Sequence, residues 1–100
     1  VLFFNLGEAE SKKAFELMQQ LRSKGIAAEL FHEPVKMDKQ FKYAEKKNIP
    51  AIIILGSKEL ESGTLAIKKL ATGEQQTIHW EELVNFFAWF FVEESILPGR

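Results

Sequence analysis

Only two side chains in this 100-residue sequence could act as imidazole bases, His32 and His79, and only one aspartate is present, Asp38. The two histidines lie far apart, so no helical His pair for a metal exists. His32 follows an apolar run, and His79 falls where a helix N-cap belongs. Cysteine is absent. That excludes thiol catalysis, Cys–zinc centres, iron–sulfur clusters and disulfide scaffolds together. Gly56 and Gly63 bracket a polar segment, but their spacing fits neither a phosphate-cradling loop with a terminal Lys-Ser/Thr nor a dinucleotide GxGxxG. Asp38 reads as a helix cap. Read from its residues alone, the chain is a non-catalytic module, with neither catalytic nor metal-binding residues.

Charge offers more. The whole chain carries −1, which excludes a globally basic nucleic-acid binder. Yet Lys36, Lys39, Lys42, Lys46 and Lys47 crowd one stretch against Asp38 and Glu45. Such a cluster is what phosphate contact requires, and Phe31 and Tyr43 could offer stacking faces beside it. A solvated helix face with surplus lysine is the plainer alternative.

The elements that would hold these residues follow from periodicity. Val1 to Leu6 is a continuous apolar run ending at Gly7, as a strand covered on both faces would be. Ala14, Leu17, Met18 and Leu21 mark one face of a helix, closed by Gly25. Ile26 to Phe31 predicts a second strand. A short helix follows, with Phe41 and Ala44 dry, Asn48 in the left-handed position after it and Pro50 as its stop. Ala51 to Leu55 predicts a third buried strand. Residues 56–63 read as a polar loop. Thr64 to Leu70 alternates, Ala71-Thr-Gly-Glu74 signals a hairpin, and Gln75 to Ile78 is a fifth strand. With no room for a crossover there, strand four must run antiparallel to its neighbours. A last helix begins near His79, with Glu81 and Glu82 in its first turn.

With 46% hydrophobic residues the chain is too apolar for disorder and suits one compact domain. The expected fold class is α/β: three layers, α/β/α, over a mixed five-stranded sheet. The longest apolar stretch, Leu83 to Val92, is about half a membrane span, so no membrane helix is expected. The start at Val1, with no charged region before it, reads as a domain cut from a longer protein and not as a signal peptide. The last helix is apolar nearly all round: Leu83, Phe87 and Phe90 share one face, while Phe86, Trp89 and Val92 lie elsewhere. One face would meet this domain's sheet and the other a second domain or subunit.

The run from Lys42 to Lys69, with Lys42-Tyr-Ala at its start, together with Thr72-Gly-Glu-Gln75, resembles the C-terminal anticodon-binding domain of class II aminoacyl-tRNA synthetases. It is most similar to the histidyl branch. The resemblance covers about residues 1–92 and includes a Gly-x-x-Glu-x-x-x-Gly-x-x-x-x-Lys arrangement over 56–68. It implies a single anticodon-binding domain over residues 1–100, taken from a longer cytoplasmic synthetase. It implies the same mixed five-stranded fold, and reading of the histidine tRNA anticodon loop. Adenylation and transfer would belong to a catalytic domain not in this sequence. ATP and magnesium would belong there too, leaving no cofactor in this one. The catalytic domain and a second subunit would dock through the Phe-rich last helix.

By position, the resemblance assigns Glu59 and Lys68 to base contacts. It gives Lys36, Lys39, Gln40 and Lys42 weaker roles lining the same site. Lys68 stands where threonyl and prolyl relatives carry Arg, and Pro34 departs from the polar residue of the threonyl branch. A carboxylate accepts only and suits amino or imino edges; an ammonium donates only and suits carbonyl oxygens or phosphate. Four residues separate Lys68 from Thr64, about 13 Å along a strand, so Glu59 and Lys68 would meet different nucleotides. The competing expectations are a protein-interaction or accessory module on the same fold and the anticodon domain of another class IIa synthetase.

Overall fold

The computed structural model describes residues 1–87. In chain order the elements are β1 (Leu2–Phe3), α1 (Glu8–Ser23), β2 (Glu29–Leu30), α2 (Met37–Lys46), β3 (Ala51–Ile54), α3 (Ser57–Ser62), β4 (Thr64–Lys69) and β5 (Gln75–His79), then a 3₁₀ turn, Trp80–Glu82. Residues 83–87 continue helically. The five strands form one sheet in the order β2-β1-β3-β4-β5. β1 pairs in parallel with β2 and β3, while β4 runs antiparallel to both β3 and β5. The mixed sheet and the reversed fourth strand agree with the sequence reading.

Alternation splits the strand residues between two cores. On one face Phe3, Ile53, Leu65 and Ile67 pack with the apolar stripe of α1, Ala14, Leu17, Met18 and Leu21. On the other, Leu2, Phe4 and Ile52 pack with Ala44 of α2, Phe41 lying against them. Two helix-covered faces give the three layers.

Asn48 adopts φ 54 and Gly25 φ 80, the left-handed positions expected after each helix. Three local readings are corrected. The polar segment 57–62 is a helix, α3, whose Leu60 packs on the α1-side core. Asp38 is no cap: Lys36 occupies the N-cap of α2, and Asp38 lies in the first turn, where its charge favours the helix dipole. Parallel strands one and two are far shorter than the apolar runs that announced them. Of the last helix, Leu83 and Phe87 are fully buried in this domain's own α1-side core. The remainder, with Trp89, Phe90 and Val92, lies outside the described residues. Among the described residues, no helix is long and apolar enough to cross a membrane.

Candidate nucleic-acid interface

Residues directly opposite in an antiparallel ladder share a face. Lys68 opposes Ile52, which belongs to the α2-side core, so Lys68 emerges on the α2 side of the sheet. Its ammonium sits 5.2 Å from the centre of the Phe41 ring, close enough for a cation–π attraction. Phe41 is itself held edge-on by Phe4, ring centres 4.8 Å apart. The lysine stem therefore lies on an apolar floor while its charged end stays reachable; the residue is half-buried.

Beyond Lys68, among the described residues, the β5 side of this face is exposed. Across β4–β5, Lys68 opposes Gln75, Ala66 opposes Thr77, and Thr64 opposes His79. Gln75, Thr77 and His79 are all exposed. Together with Lys68 they make a flat shelf of hydrogen-bonding groups on a paired backbone. Sequence reasoning missed Gln75, Thr77 and His79, although alternation from Lys68 through a two-strand hairpin would have placed them.

Glu59 stands at the start of α3, past the end of β3. Its Oε1 accepts the Gly56 N–H at 2.9 Å, satisfying one of the free donors that every helix N-terminus leaves. The reciprocal half of a capping box cannot form, because Gly56 has no side chain to return the bond. Glu59 is half-buried, and a base would compete with the cap for this carboxylate. Lys68 and Glu59 lie toward opposite ends of β4, so the structure does not bring them onto one nucleotide.

Gln40 is corrected outright. It is fully buried. Its Oε1 accepts the Asn5 N–H at 2.8 Å, and its Nε2 donates to the Asn5 carbonyl at 2.9 Å and the Val35 carbonyl at 2.9 Å. Asn5 completes the junction, donating to the Phe31 carbonyl at 3.1 Å and accepting from the Gly7 N–H at 3.3 Å. The pair ties the ends of β1 and β2 to the start of α2. Gln40 positions that helix and presents nothing to an RNA.

Lys36, Lys39 and Lys42 are exposed and, three residues apart, each neighbours the next along the solvent side of α2. Phe41 marks the flank of α2 that faces β4, and Asp38 and Glu45 share its stripe. Tyr43 marks the opposite flank, toward β2, where its hydroxyl donates to Glu29 Oε1 at 3.0 Å. Lys36 and Lys39 belong to the Tyr43 stripe; Lys42 projects between the two. The six candidates are thus one buried tie, one cap, one shelf cation and three surface lysines stepping along α2. Among the described residues, no group of three or more His, Cys, Asp or Glu could hold a metal ion.

Residues 1–88 match the family described as the anticodon binding domain. The chain belongs to that family. Among curated proteins it is 40% identical over 85 residues to a histidine–tRNA ligase of Bacteroides fragilis, covering 85% of this chain and 19% of the relative. It is 36% identical over 88 residues to one from Lysinibacillus sphaericus, covering 88% and 21%. The histidyl-tRNA synthetase of S. aureus superposes with a TM-score of 0.78 at 32% identity, over 86% of this chain and 22% of that one. The RNA binding domain of threonyl-tRNA synthetase from Cryptosporidium parvum gives 0.79 at 12% identity, over 87% and 22%, a likeness of fold alone. The anticodon-binding chain thus spans about a fifth of the length of the relatives it matches. The shelf, the capped α3 and the lysine-bearing α2 are features of this fold as this sequence builds it.

Proposed function

We propose that this chain reads the anticodon loop of histidine tRNA on behalf of a cytoplasmic histidine–tRNA ligase. Activation of histidine with ATP and magnesium, and its transfer to the tRNA, belong to a catalytic domain in the rest of that enzyme. One observation carries the reading: an ammonium, Lys68, is held over an aromatic ring beside a sheet surface that α2 leaves uncovered. Unpaired bases are read on their edges and need donors and acceptors presented on a rigid support. Lys68, Gln75 and Thr77 supply them on hydrogen-bonded strands. Glu59 supplies a carboxylate at the far end, suited to an amino or imino edge. Lys42, exposed between the two flanks of α2, offers an ammonium to a phosphate of the same loop.

With net charge −1 and few phosphate contacts, the chain alone binds weakly, and tethering to acceptor-stem contacts elsewhere in the enzyme raises affinity. The test is titration of the histidine tRNA anticodon stem-loop against wild type, Lys68→Ala and Glu59→Ala at two salt concentrations. If Lys68 meets phosphate, its loss lowers the salt slope by about 0.7; if it meets a base, discrimination between anticodons falls instead. Wild-type binding and discrimination in both variants would refute the site.

A further inference from the structure

The Tyr43 flank of α2 faces away from the shelf and has its own architecture. Against it lies a cleft of about 240 Å³ whose walls include Glu29, Phe31, His32 and Tyr43, with Leu2 at its base. The Phe31 and Tyr43 rings meet edge to face, centres 5.2 Å apart, and the exposed His32 ring leans on Phe31 at 4.7 Å. Glu29 gives one lone pair of Oε1 to the Tyr43 hydroxyl, which fixes the carboxylate and leaves Oε2 and the other lone pair of Oε1 as acceptors. That hydrogen bond raises the phenol above its ordinary value, so Tyr43 stays a donor at neutral pH.

The charge around this cleft is asymmetric. By the 3.6-residue period, Lys36, Lys39, Lys46 and Lys47 surround Tyr43 on one stripe, while both acids of the helix, Asp38 and Glu45, fall on the Phe41 side. The Lys47 ammonium already lies 6.0 Å from the Tyr43 ring. The local acids are Glu29, held by Tyr43, and Glu33, paired with His32 at 3.4 Å. Four lysines repel a cationic guest. The cleft therefore suits a flat group with hydrogen-bond donors on its edge and negative charge at its ends.

The geometry points to a second nucleotide site at the β2 edge. It takes one unpaired guanine, its N1–H and amino group donating to Glu29, with flanking phosphates along Lys36, Lys39, Lys46 and Lys47. Adenine offers a single amino donor and no N1–H, so it fits worse. The exposed His32 ring adds stacking that any base would gain, Phe31 being buried beneath it. The inference rests on the chain being an RNA reader, and it places a contact where the shelf cannot reach, since α2 stands between them.

The probes are the trinucleotides r(UGU), r(UAU) and r(UIU), titrated into the chain and followed by NMR. r(UGU) should shift the Tyr43 and His32 resonances and bind roughly tenfold tighter than r(UAU), within the range of one bidentate base contact. Inosine, which lacks the amino group, should fall between. Glu29→Gln should bring the ratio close to one. Lys39→Ala and Lys47→Ala should weaken all three ligands alike. Equal binding of r(UGU) and r(UAU) by wild type overturns the site, and this needs no variant to fold. Shifts confined to Lys68, Gln75 and Thr77 also overturn it, while leaving the anticodon reading intact. Shifts at Tyr43 with an anticodon stem-loop that ignores Lys68 and Glu59 would do the reverse. An acidic peptide matching r(UGU) at the same resonances would likewise refute it.

Discussion

Replacing Gln40 tests the claim that the end of the parallel sheet is held by a saturated polar tie. Alanine removes three hydrogen bonds and leaves the Asn5 N–H, the Asn5 carbonyl and the Val35 carbonyl facing a void. At about 1 kcal/mol for each stranded group, the lower end of the usual range, the loss is about 3 kcal/mol. For a domain of this size that lowers Tm by about 12 °C or more. Gln40→Glu is the sharper perturbation. One carboxylate oxygen can still accept from Asn5, but the other now faces two carbonyl oxygens in a fully buried position. Burial and those acceptors disfavour the charged form, so the introduced group has a higher pKa folded than unfolded. Its folded state then holds more protons, and stability falls as pH rises. The difference from wild type should be smallest below the ordinary Glu value of about 4.3 and grow until the folded value is passed. Urea denaturation of both proteins across that interval measures it. A Gln40→Glu protein as stable as wild type at pH 7 would refute the tie.

Three other expectations are simpler. Glu59→Gln keeps an oxygen for the Gly56 N–H, so its denaturation midpoint should barely move, whereas Glu59→Ala should lose about 1 kcal/mol with the cap. If Glu59→Gln also binds the anticodon stem-loop as wild type does, the residue is a cap and nothing more. Gly63 sits at φ 72 where α3 ends, and an added Cβ would meet the Trp80 ring at an ordinary 3.8 Å; Gly63→Ala should therefore cost only the left-handed strain, about 1–2 kcal/mol by thermal melting. Removing the Tyr43 hydroxyl as Tyr43→Phe frees Glu29, and should lower the phenylalanine variant's preference for r(UGU) without changing its affinity for r(UAU).

Much of this architecture was legible because it is written locally. Ala14, Leu17, Met18 and Leu21 announced α1, Ala51 to Ile54 announced β3, and the tight connection at 71–74 forced β4 to reverse. What stayed hidden depends on distant partners. Gln40 sits in a lysine-rich stretch and looks like surface; only Asn5, thirty-five positions away, turns it inward. Six residues of α3 carry a single packed side chain, Leu60, too little to show a period. The division of α2 into an acidic and a basic flank was implicit in its spacing, but which flank faced which strand required Phe41 and Tyr43 to be seen against Phe4 and Glu29. Glu59 and Lys68 were assigned by resemblance; their geometry adds a cap to one and an aromatic seat to the other.

The strand order also sets a timetable for synthesis. Once β3 has left the ribosome, one side of it pairs with β1, and the other presents unpaired amides beside three consecutive isoleucines until β4 emerges. The partners of β3 are Ala66 to Lys69, the last of them fifteen residues beyond Ile54, so at about 5–20 residues per second that sticky margin is bare for roughly three seconds or less. The brevity of α3 is what keeps this interval short, and lengthening it should raise the yield of insoluble nascent chains.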